Sequence, residues 1–346
     1  MKKNTKQKVI VAMSGGVDSS VAAALLKKAG FEVVGIFMKF WKEGKSGQNR
    51  CCSVESEKLA RLVAKKIGIH FYVLNAEKEF KKEVVDYFIR EYKKGNTPNP
   101  CVVCNKEIKF GFLIKKALSL GADYVATGHY ADIKDGRILK SRDKDKDQTY
   151  FLWQLDSKQI KRIMFPLAKY TKPEVRKLAE QFDLPTAKTP ESQEVCFVQN
   201  TTNDFLKKYL KSKPGKVIDK NGKILGDHQG LWFYTIGQRK GLEIPQGPWF
   251  VINKDFKKNN LVVSKDQKDL NRKELIVSNI NWVLPQKLPA IVEVKIRYRS
   301  NFAKAKIVKQ GKQVKVVFQK PQKAITSGQS AVFYSGKELL GGGVIQ

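Results

Sequence analysis

Apolar segments of strand length alternate with amphipathic segments along the first half of the chain. The strand-like segments are KVIVAMS (8–14), EVVGIFMKF (32–40), HFYVLNA (70–76) and DYVATGHYA (123–131). Helical spacing is found at 15–30, 53–68, 78–94, 105–121 and 171–182. Strands that alternate with helices form a doubly wound parallel sheet, in which ligands bind at the carboxyl ends of the strands. The first half is therefore predicted to be an α/β domain.

Two helix starts and one turn can be predicted from single residues. Ser53 is the predicted N-cap of the second helix, because acidic residues follow it in the first turn. Asn105 is the predicted cap of the fourth helix, which would leave Cys104 at a helix N-terminus. An Asp-Gly pair inside ADIKDGRILK (131–140) predicts a β-hairpin.

The pattern changes after about residue 205, where short strands and turn signals replace the helices. The strand-rich segments are 216–225, 249–264, 290–300, 303–318 and 329–345. This pattern is typical of small all-β domains. We therefore predict an α/β domain at 1–205, a small β-rich domain at 206–270 and a β-barrel at 271–346.

The net charge is strongly positive. The 346 residues include 66 Lys and Arg against 33 Asp and Glu, which gives a formal charge of +33. A charge of this size repels itself unless a polyanion is bound, so it predicts a phosphate-rich partner. A lysine-rich genome would give the same excess without a function. Basic residues beside aromatic ones at 232–242 and 295–300 favour the first explanation, because such surfaces stack bases and neutralise phosphates.

The cysteines indicate a reducing compartment. Five cysteines, with Cys51 and Cys52 adjacent, do not form the paired framework of a secreted protein. No apolar run is long enough to span a membrane, and the apolar run near the N-terminus is too short for a signal peptide. We therefore expect a cytoplasmic protein with working thiols and no membrane partner.

A glycine loop, VAMSGGVDSS (11–20), joins the first strand to the first helix. Gly15 and Gly16 allow a tight turn that directs N–H groups at an anion, and the helix N-terminus adds partial positive charge. The loop lacks both the Gly-Lys-Ser/Thr of a Walker A loop and the G-x-G-x-x-G dinucleotide fingerprint. It is predicted to bind phosphate in a different way.

The string SGGVDSS resembles the PP-loop of the ATP pyrophosphatases. These enzymes cleave ATP between the α- and β-phosphates and transfer AMP to a carbonyl oxygen. The resemblance implies that backbone amides hold the released pyrophosphate and that Asp18 lies near Mg²⁺. The residues that match ATP contacts are Ala12, Met13, Ser14, Gly15, Gly16, Val17, Asp18, Ser19, Met38 and Gly128.

Further motifs, in the same order, resemble the tRNA-specific 2-thiouridylases over nearly the whole chain. They are GIFMKFW (35–41), TPNPCVVCNKEIKFGFL (97–113), ATGHYA (126–131), KDQTYFLWQL (146–155), ESQEVCFV (191–198), YTIGQRKGL (234–242) and SGQSAVFY (327–334). In that family, the O2 of the wobble uridine is adenylated and replaced by sulfur. The resemblance implies an ATP-dependent sulfurtransferase that modifies tRNA.

Two cysteines match the sulfur chemistry of the family. Cys196 matches the cysteine that carries the persulfide, and Cys104 matches the partner thiol that frees the sulfur. A Cys104–Cys196 disulfide would then follow each turnover. Because a thiolate needs positive surroundings, the predicted helix start, Lys106 and Lys109 are expected to lower the pKa of Cys104.

Cys101 departs from the family pattern, since part of the family has an aspartate there that is assigned to proton transfer. Cys101 could be a second acid–base thiol, an inert variant or a ligand. Cys101, Cys104 and Cys196 could together hold an iron–sulfur cluster with one open iron, an alternative that we leave open but do not predict. Zinc is disfavoured, because a structural site needs four ligands and a second C-x-x-C is absent.

The resemblance also implies contacts with tRNA. Asn99, Pro100 and Cys101 match the loop beside the target base. The other matched contacts are His129, Lys146, Asp147, Gln148, Arg297, Tyr298 and Gln329. Of the two remaining histidines, His70 is expected to pack within a strand and His228 to be solvated in a loop.

The sequence thus predicts a tRNA sulfurtransferase with ATP and Mg²⁺ as cofactors and with tRNA and a persulfide-donating protein as partners. Another PP-loop ligase, such as an amidating synthetase, would bring a glutaminase or an ammonia route, and no such segment is present. A non-catalytic, metal-bearing RNA-binding protein would bind metal without turning over ATP. The sulfur donor, the tRNAs used and the roles of Cys51 and Cys52 stay open.

Overall fold

A computed structural model of the chain describes residues 6–44, 49, 51–190 and 195–346. Five parallel strands form the first sheet. They are β1 (Lys8–Ala12), β2 (Glu32–Lys39), β3 (His70–Asn75), β4 (Tyr124–Ala126) and β7 (Ile163–Met164), with strands numbered in chain order. Their order is β3-β2-β1-β4-β7. The predicted doubly wound α/β sheet is confirmed. Residues 191–194 of the predicted motif 191–198 lie outside the described residues.

All five predicted helical segments contain a helix in the structure. The helices are α1 (Val17–Lys28), α2 (Val54–Ile67), α3 (residues 77–93), α4 (residues 100–119), α5 (Ser157–Ile160), α6 (Lys172–Gln181) and α7 (Thr202–Lys207). Short 3₁₀ turns occur at Thr149–Phe151, Leu231–Phe233 and Gln267–Leu270. Ser53 caps α2 as predicted, because its Oγ accepts a hydrogen bond from the backbone N–H of Ser56 at 3.1 Å. None of the helices in the described chain is long and apolar enough to cross a membrane.

The two edges of the parallel sheet differ in burial. β1 lies at the centre, and its residues Val9, Ile10 and Val11 are completely buried, as in other strands covered on both faces. β3 is an edge strand, and Tyr72 within it exposes 57% of its surface. His70 begins this edge and is exposed, so the expectation that it packs in the interior is wrong.

The helix that carries Cys104 begins earlier than predicted. α4 starts at Pro100, with Asn99 as N-cap, and proline suits a first helical position because no N–H partner is needed there. The expectation that Asn105 caps the helix is therefore wrong. Cys104 instead opens a nine-residue π-helical segment, Cys104–Phe112, that precedes the last α-helical part of α4. Such segments are frequent at functional sites.

The predicted hairpin is confirmed and extends beyond its own domain. It consists of β5 (Asp132–Lys134) and β6 (Arg137–Leu139), joined by two residues of positive φ. β6 pairs with the last strand of the chain, β17 (Glu338–Ile345). Arg137 and Glu338 also form an ion pair across this junction at 2.6 Å. The hairpin therefore joins the α/β domain to the C-terminal sheet.

The central β-rich region contains a four-stranded sheet. Its strands are β8 (Gly215–Asp219), β9 (Ile224–His228), β10 (Phe250–Asp255) and β11 (Asn260–Ser264), in the order β10-β11-β8-β9. His228 ends β9 and is only 2% exposed. Its Nδ1 accepts a hydrogen bond from the N–H of Gly230 at 3.0 Å, and its Nε2 lies 3.0 Å from the carbonyl oxygen of Asn259. The expectation of a solvated loop histidine is therefore wrong.

The C-terminal region forms a closed barrel. Besides β17, its strands are β12 (Asn271–Trp282), β13 (Ala290–Lys295), β14 (Ala303–Gln310), β15 (Gln313–Lys323) and β16 (Ser330–Ser335). The order is β12-β15-β14-β13-β16-β17, and pairing of β12 with β17 closes the ring. The predicted barrel is confirmed, although the sequence pattern did not predict β12, whose first four residues are exposed and polar. The domain boundaries at residues 205 and 270 stay a prediction.

Candidate active site

The glycine loop turns tightly between β1 and α1. The backbone N–H of Ser14 donates to Ser19 Oγ, which in turn donates to the carbonyl oxygen of Gly16, both at 3.1 Å. Gly16 is the N-cap of α1 and has no side chain that could accept the first N–H groups of that helix. These N–H groups and the helix dipole therefore favour an anion at the loop.

Two glycines let neighbouring segments approach this loop closely. Gly15 has a φ of +76°, and a Cβ there would lie 2.2 Å from the carbonyl oxygen of Ser56. A Cβ at Gly128 would lie 2.7 Å from backbone atoms of Asp18 and Ser19. The start of α2 and the end of β4 can therefore pack against the loop only where glycine is present.

The other predicted ATP contacts lie at the same edge of the sheet. Ala12 ends β1 opposite Ile36, and the N–H of Met13 donates to the carbonyl oxygen of Ile36 at 2.8 Å. Met38 follows near the end of β2 and is 6% exposed. The predicted residues thus gather at the carboxyl ends of three strands, where this fold binds ligands. Their contact with ATP stays a prediction.

Asp18 in the first turn of α1 is held by two side chains. Lys172 Nζ donates to Oδ1 and to Oδ2 of Asp18, both at 2.7 Å, and the hydroxyl of Tyr130 donates to Oδ1 at 2.8 Å. Lys172 is the first residue of α6, and its side chain is 9% exposed. Sequence reasoning missed Lys172. The sequence feature that could have identified it is a cation at the start of a helix, where the helix dipole disfavours positive charge.

Four of the five cysteines lie within electrostatic reach of Lys109 in the π-helical segment, and these are Cys51, Cys101, Cys104 and Cys196. Cys104 is buried, Cys51 and Cys196 are half-buried, and Cys101 is exposed. All are free thiols, and the described residues contain no group of three or more Cys, His, Asp or Glu arranged to hold a metal ion. Burial lowers the pKa of Lys109, but negative charge on these cysteines raises it, and the net change is upward. The ammonium of Lys109 and a thiolate at any of these cysteines therefore stabilise each other.

Cys104 is a neutral thiol near pH 7. Burial raises its pKa to about 12, and Lys109 offsets only part of that rise. The expectation of a lowered pKa is wrong, because Cys104 lies inside α4 rather than at a helix N-terminus and is only 8% exposed.

Cys51 is the thiol that contacts Cys196. A hydrogen bond from Cys196 lowers the pKa of Cys51 to about 7, while burial raises it and Lys109 lowers it. The same hydrogen bond, together with burial, raises the pKa of Cys196 well above its usual value. Cys51 is therefore the more acidic thiol of this pair. Its adjacency to another cysteine gave no hint of this contact.

Cys52 has a different environment from its neighbour. The backbone N–H of Phe40 donates to Cys52 Sγ at 3.2 Å, and Sγ donates to the carbonyl oxygen of Phe40 at 3.7 Å. Burial raises the pKa of Cys52 to about 11. Cys52 therefore ties its turn to the end of β2, which is a structural role.

The barrel is held against the loop that leads into α4. The N–H of Thr97 donates to the carbonyl oxygen of Ser327, and Gln329 Nε2 donates to the carbonyl oxygen of Thr97, both at 2.8 Å. A Cβ at Gly328 would lie 2.8 Å from Asn96 Cβ. The predicted base-contacting loop and the predicted Gln329 therefore lie together.

The 3₁₀ turn Thr149–Phe151 contacts both α4 and Tyr298 of the C-terminal region. The ring of Tyr298 lies 4.6 Å from that of Phe151 and 6.2 Å from that of Tyr150, between centroids. The side chain of Asn99 is hydrogen-bonded to Tyr150, and Asn105 Nδ2 donates to the carbonyl oxygen of Phe151 at 3.2 Å. The structure thus brings two predicted residues from distant parts of the chain, Asn99 and Tyr298, next to the same side chain, that of Tyr150.

Arg297 has partners within the barrel. Its guanidinium donates to Thr326 Oγ1 at 2.9 Å and to the carbonyl oxygen of Ala324. Burial lowers the pKa of Arg297, although a guanidinium remains charged at neutral pH. A tRNA contact of this half-buried cation stays a prediction.

Two of the three predicted tRNA-contacting residues Lys146, Asp147 and Gln148 form hydrogen bonds within the protein. Asp147 is 6% exposed and accepts hydrogen bonds from a backbone N–H at 3.0 Å and from Thr149 Oγ1 at 2.7 Å. Gln148 Oε1 accepts a hydrogen bond from the N–H of Tyr130 at 2.9 Å. Lys146 is partly exposed. Asp147 and Gln148 thus fix this loop, while RNA contact by the three residues stays a prediction.

His129 lies at the carboxyl end of β4 and is 8% exposed. Its Nδ1 is 2.6 Å from Thr127 Oγ1, and its ring lies 5.8 Å from that of Phe110 and 5.9 Å from that of Phe165. Burial and the charge of Lys109 lower its pKa well below the usual range. His129 is therefore a neutral imidazole within electrostatic reach of Lys109, and its predicted contact with tRNA stays untested.

Comparison with known proteins supports this architecture in all three regions. Residues 7–200 match the family described as tRNA methyl transferase HUP domain, residues 203–265 the tRNA methyl transferase PRC-barrel domain and residues 272–345 the aminomethyltransferase beta-barrel domain. The fold and these matches define a protein of the HUP class that carries two β-rich domains.

Curated relatives identify the family within this class. The chain is 47% identical to the tRNA-specific 2-thiouridylase MnmA of Carboxydothermus hydrogenoformans, over 99% of this chain and 98% of the relative. It is 48% identical to the enzyme of the same name from Halothermothrix orenii, over 98% and 99%. The chain therefore belongs to the family of tRNA-specific 2-thiouridylases, which are sulfurtransferases.

Proposed function

We propose that the chain catalyses ATP-dependent 2-thiolation of the wobble uridine of tRNA. The uridine O2 attacks the α-phosphate of ATP, pyrophosphate leaves, and sulfur from a Cys196 persulfide then replaces the adenylated oxygen. The names of the full-length relatives support this substrate. The observation that supports the sulfur chemistry is that Cys104 and Cys196 both lie within electrostatic reach of Lys109.

Adenylation makes the uridine oxygen a good leaving group. The O2 of uridine is amide-like and departs poorly, whereas the adenylated oxygen departs as part of AMP. The glycine loop and the N-terminus of α1 would hold the pyrophosphate through backbone N–H groups. This assignment uses the predicted ATP contacts at the carboxyl edge of the parallel sheet.

Sulfur transfer uses two thiols in turn. The terminal sulfur of the Cys196 persulfide attacks C2 of the adenylated uridine, and AMP leaves. The thiolate of Cys104 then attacks Cys196 Sγ, which breaks the bond to the delivered sulfur and forms a Cys104–Cys196 disulfide. A thiol reductant supplies two electrons and two protons to restore both cysteines.

The second step requires Cys104 to lose its proton. Its pKa of about 12 keeps the thiol neutral in the structure described here. The charge of Lys109 opposes the rise in the pKa of Cys104, so the ammonium would stabilise a thiolate there once one forms. We therefore propose that deprotonation of Cys104 accompanies substrate binding rather than preceding it.

Asp18 fits the predicted Mg²⁺ ion. A carboxylate has about four acceptor sites, and three are used by Lys172 and Tyr130. Mg²⁺ usually takes one or two carboxylate oxygens together with phosphate oxygens and water, so Asp18 would hold it with ATP. The ion would neutralise charge on the phosphates.

The tRNA would bind where the barrel meets the loop 97–100. Tyr298 offers a ring for base stacking, and the excess of basic residues offers phosphate contacts. Asn99, Pro100 and Cys101 would face the target base, with Cys101 as an exposed thiol. A persulfide-donating protein would reload Cys196, which is half-buried.

The test combines the purified chain with unmodified tRNA, ATP, Mg²⁺ and a small persulfide. Pyrophosphate release and 2-thiouridine, measured by nucleoside mass spectrometry, are the two readouts. Cys196→Ser should abolish 2-thiouridine but retain pyrophosphate release, because adenylation needs no sulfur. Cys52→Ser is the matched control and should retain both. A fully active Cys196→Ser variant would overturn the proposal.

A further inference from the structure

Cys51 has no role in the sulfur chemistry proposed above, although it lies next to the cysteine that carries the sulfur. The thiol of Cys196 donates a hydrogen bond to Cys51, whereas Cys101 and Cys104 act on Cys196 through their charge. Cys51 and Cys196 are both half-buried. Cys51 is therefore placed for direct exchange of a proton or a sulfur atom with Cys196.

The turn that carries Cys51 is fixed at several points. Asn49 is 2% exposed; its Oδ1 accepts a hydrogen bond from the N–H of Cys51, and its Nδ2 donates to the carbonyl oxygen of Trp41, both at 3.0 Å. The N–H of Cys52 donates to the carbonyl oxygen of Asn49 at 2.9 Å, and the Cys52 thiol binds the backbone at the end of β2. A buried amide with bonded donor and acceptor groups holds its neighbours rigidly. The turn therefore keeps Cys51 at one position beside Cys196.

The surroundings of the two thiols favour negative charge on Cys51. The hydrogen bond from Cys196 and the charge of Lys109 outweigh burial and lower the pKa of Cys51 to about 7. The same hydrogen bond, together with burial, raises the pKa of Cys196 well above its usual value. Only a thiolate attacks the sulfur of a persulfide. At neutral pH Cys51 is therefore the better acceptor of incoming sulfur.

We propose that Cys51 takes the sulfur atom from the persulfide donor and passes it to Cys196. The inference rests on the proposed function, since it adds the step that loads the Cys196 persulfide. In the first transfer, the Cys51 thiolate attacks the outer sulfur of the donor persulfide. The S–S bond of the donor breaks, and the donor thiolate leaves with the proton of the persulfide. Cys51 then carries a persulfide anion.

The second transfer uses the hydrogen bond between the two cysteines. Cys196 gives its proton to the outer sulfur of the Cys51 persulfide, and the Cys196 thiolate then attacks that sulfur. The S–S bond at Cys51 breaks, and Cys51 leaves as a thiolate. One S–S bond forms for each one that breaks, so neither transfer needs an oxidant or a reductant. Cys51 returns to its starting state, and Cys196 carries the persulfide.

A simpler role would be that Cys51 only supports Cys196 through the hydrogen bond. The two roles differ when serine replaces Cys51, because a hydroxyl keeps a hydrogen bond but accepts no sulfur. If Cys51 only supports Cys196, Cys51→Ser should load Cys196 as the wild type does. If Cys51 transfers the sulfur, Cys51→Ser should load Cys196 slowly.

The experiment treats the full chain with cysteine persulfide at pH 7 and locates protein persulfides over time by peptide mass spectrometry. In Cys196→Ser the persulfide should accumulate on Cys51, because the serine hydroxyl still donates to Cys51 and accepts no sulfur. In Cys51→Ser burial still raises the pKa of Cys196, so Cys196 must react from a small thiolate fraction. Cys52→Ser is the matched control and should load Cys196 at the wild-type rate.

The expected loss follows from ionisation and nucleophilicity. At pH 7 a thiol with a pKa of 9.0 is about 50-fold less ionised than one with a pKa of about 7, and its thiolate is about tenfold more nucleophilic. Loading of Cys196 in Cys51→Ser should therefore slow by about fivefold or more.

Two results would overturn the inference. One is loading of Cys196 at the wild-type rate in Cys51→Ser, and the other is a persulfide on Cys101 instead of Cys51 in Cys196→Ser. The second variant keeps the turn of Cys51 intact, so it decides the question even if Cys51→Ser folds poorly. Formation of 2-thiouridine by the wild type tests the proposed function separately. Thiolation by the wild type with normal loading in Cys51→Ser would therefore reject only the transfer through Cys51.

Discussion

Removal of the Cys196 thiol should raise the pKa of Cys51. The hydrogen bond from Cys196 is the largest cause that lowers this pKa from 9.0 to about 7. In Cys196→Ala the donor is lost, and burial, which raises the pKa, is then opposed by Lys109. We therefore expect the pKa of Cys51 to return to about 9 or higher.

The size of the effect follows from the fraction of thiolate. At pH 7 a thiol with a pKa of about 7 is roughly half ionised, and one with a pKa of 9.0 is only about 1% ionised. Only the thiolate reacts with an alkylating reagent. Alkylation of Cys51 at pH 7 should therefore slow by about 50-fold in Cys196→Ala.

The assay follows iodoacetamide labelling of each cysteine by peptide mass spectrometry across a pH series. Cys52 serves as an internal control, because its pKa of about 11 should keep it slow in both proteins. A midpoint for Cys51 that stays near 7 in Cys196→Ala would refute the reasoning. That result would assign the low pKa to Lys109 instead of Cys196.

Three further variants test other parts of the structure. Gly128→Ala should cost about 1–3 kcal/mol of stability and weaken ATP binding, because the new Cβ would lie 2.7 Å from backbone of the glycine loop; urea unfolding and ATP titration check both effects. Burial lowers the pKa of Lys254 from 10.5 to about 8, so the unfolded chain binds more protons between these values and stability should rise from pH 8 to 10.5. Lys254→Met should remove that rise in urea unfolding series. Tyr298→Ala should weaken tRNA binding by about 1–3 kcal/mol, because a ring that stacks on a base is lost. The dependence of tRNA affinity on salt concentration should not change, because no charge is lost; filter binding at several salt concentrations checks both.

Much of the fold could be predicted from the periodicity of apolar residues. Strand–helix alternation predicted the parallel sheet, and the Asp-Gly turn predicted the hairpin. Short strands separated by turn signals predicted the barrel. β12 was not predicted, because it begins with polar, exposed residues. Periodicity reports which face of an element is buried, and it reports this best for long elements.

The errors concern properties that depend on neighbours in space. His70 has the sequence surroundings of a buried residue, but its strand lies at a sheet edge. A helix that starts at Asn105 would make Cys104 acidic, whereas the helix starts at Pro100 and buries the thiol. A pKa is set by desolvation and charge in three dimensions, which a linear pattern does not contain.

Two site residues were missed for the same reason. Lys172 lies 154 positions from Asp18 in sequence and pairs with it at 2.7 Å. Cys51 is far from Cys196 in sequence and forms a hydrogen bond with it. The glycine loop and the two predicted thiols could be identified from sequence, because each lies in a short contiguous motif. The partners that tune those groups come from elements that only the fold brings together.

The origin of the transferred sulfur is the most direct test of the central claim. The chain would be loaded on Cys196 with radioactive sulfur, freed of donor and given tRNA and ATP for one turnover. We predict that the label leaves Cys196 and appears in 2-thiouridine, with one AMP formed for each sulfur transferred. Label that remains on the protein while 2-thiouridine accumulates would contradict the claim.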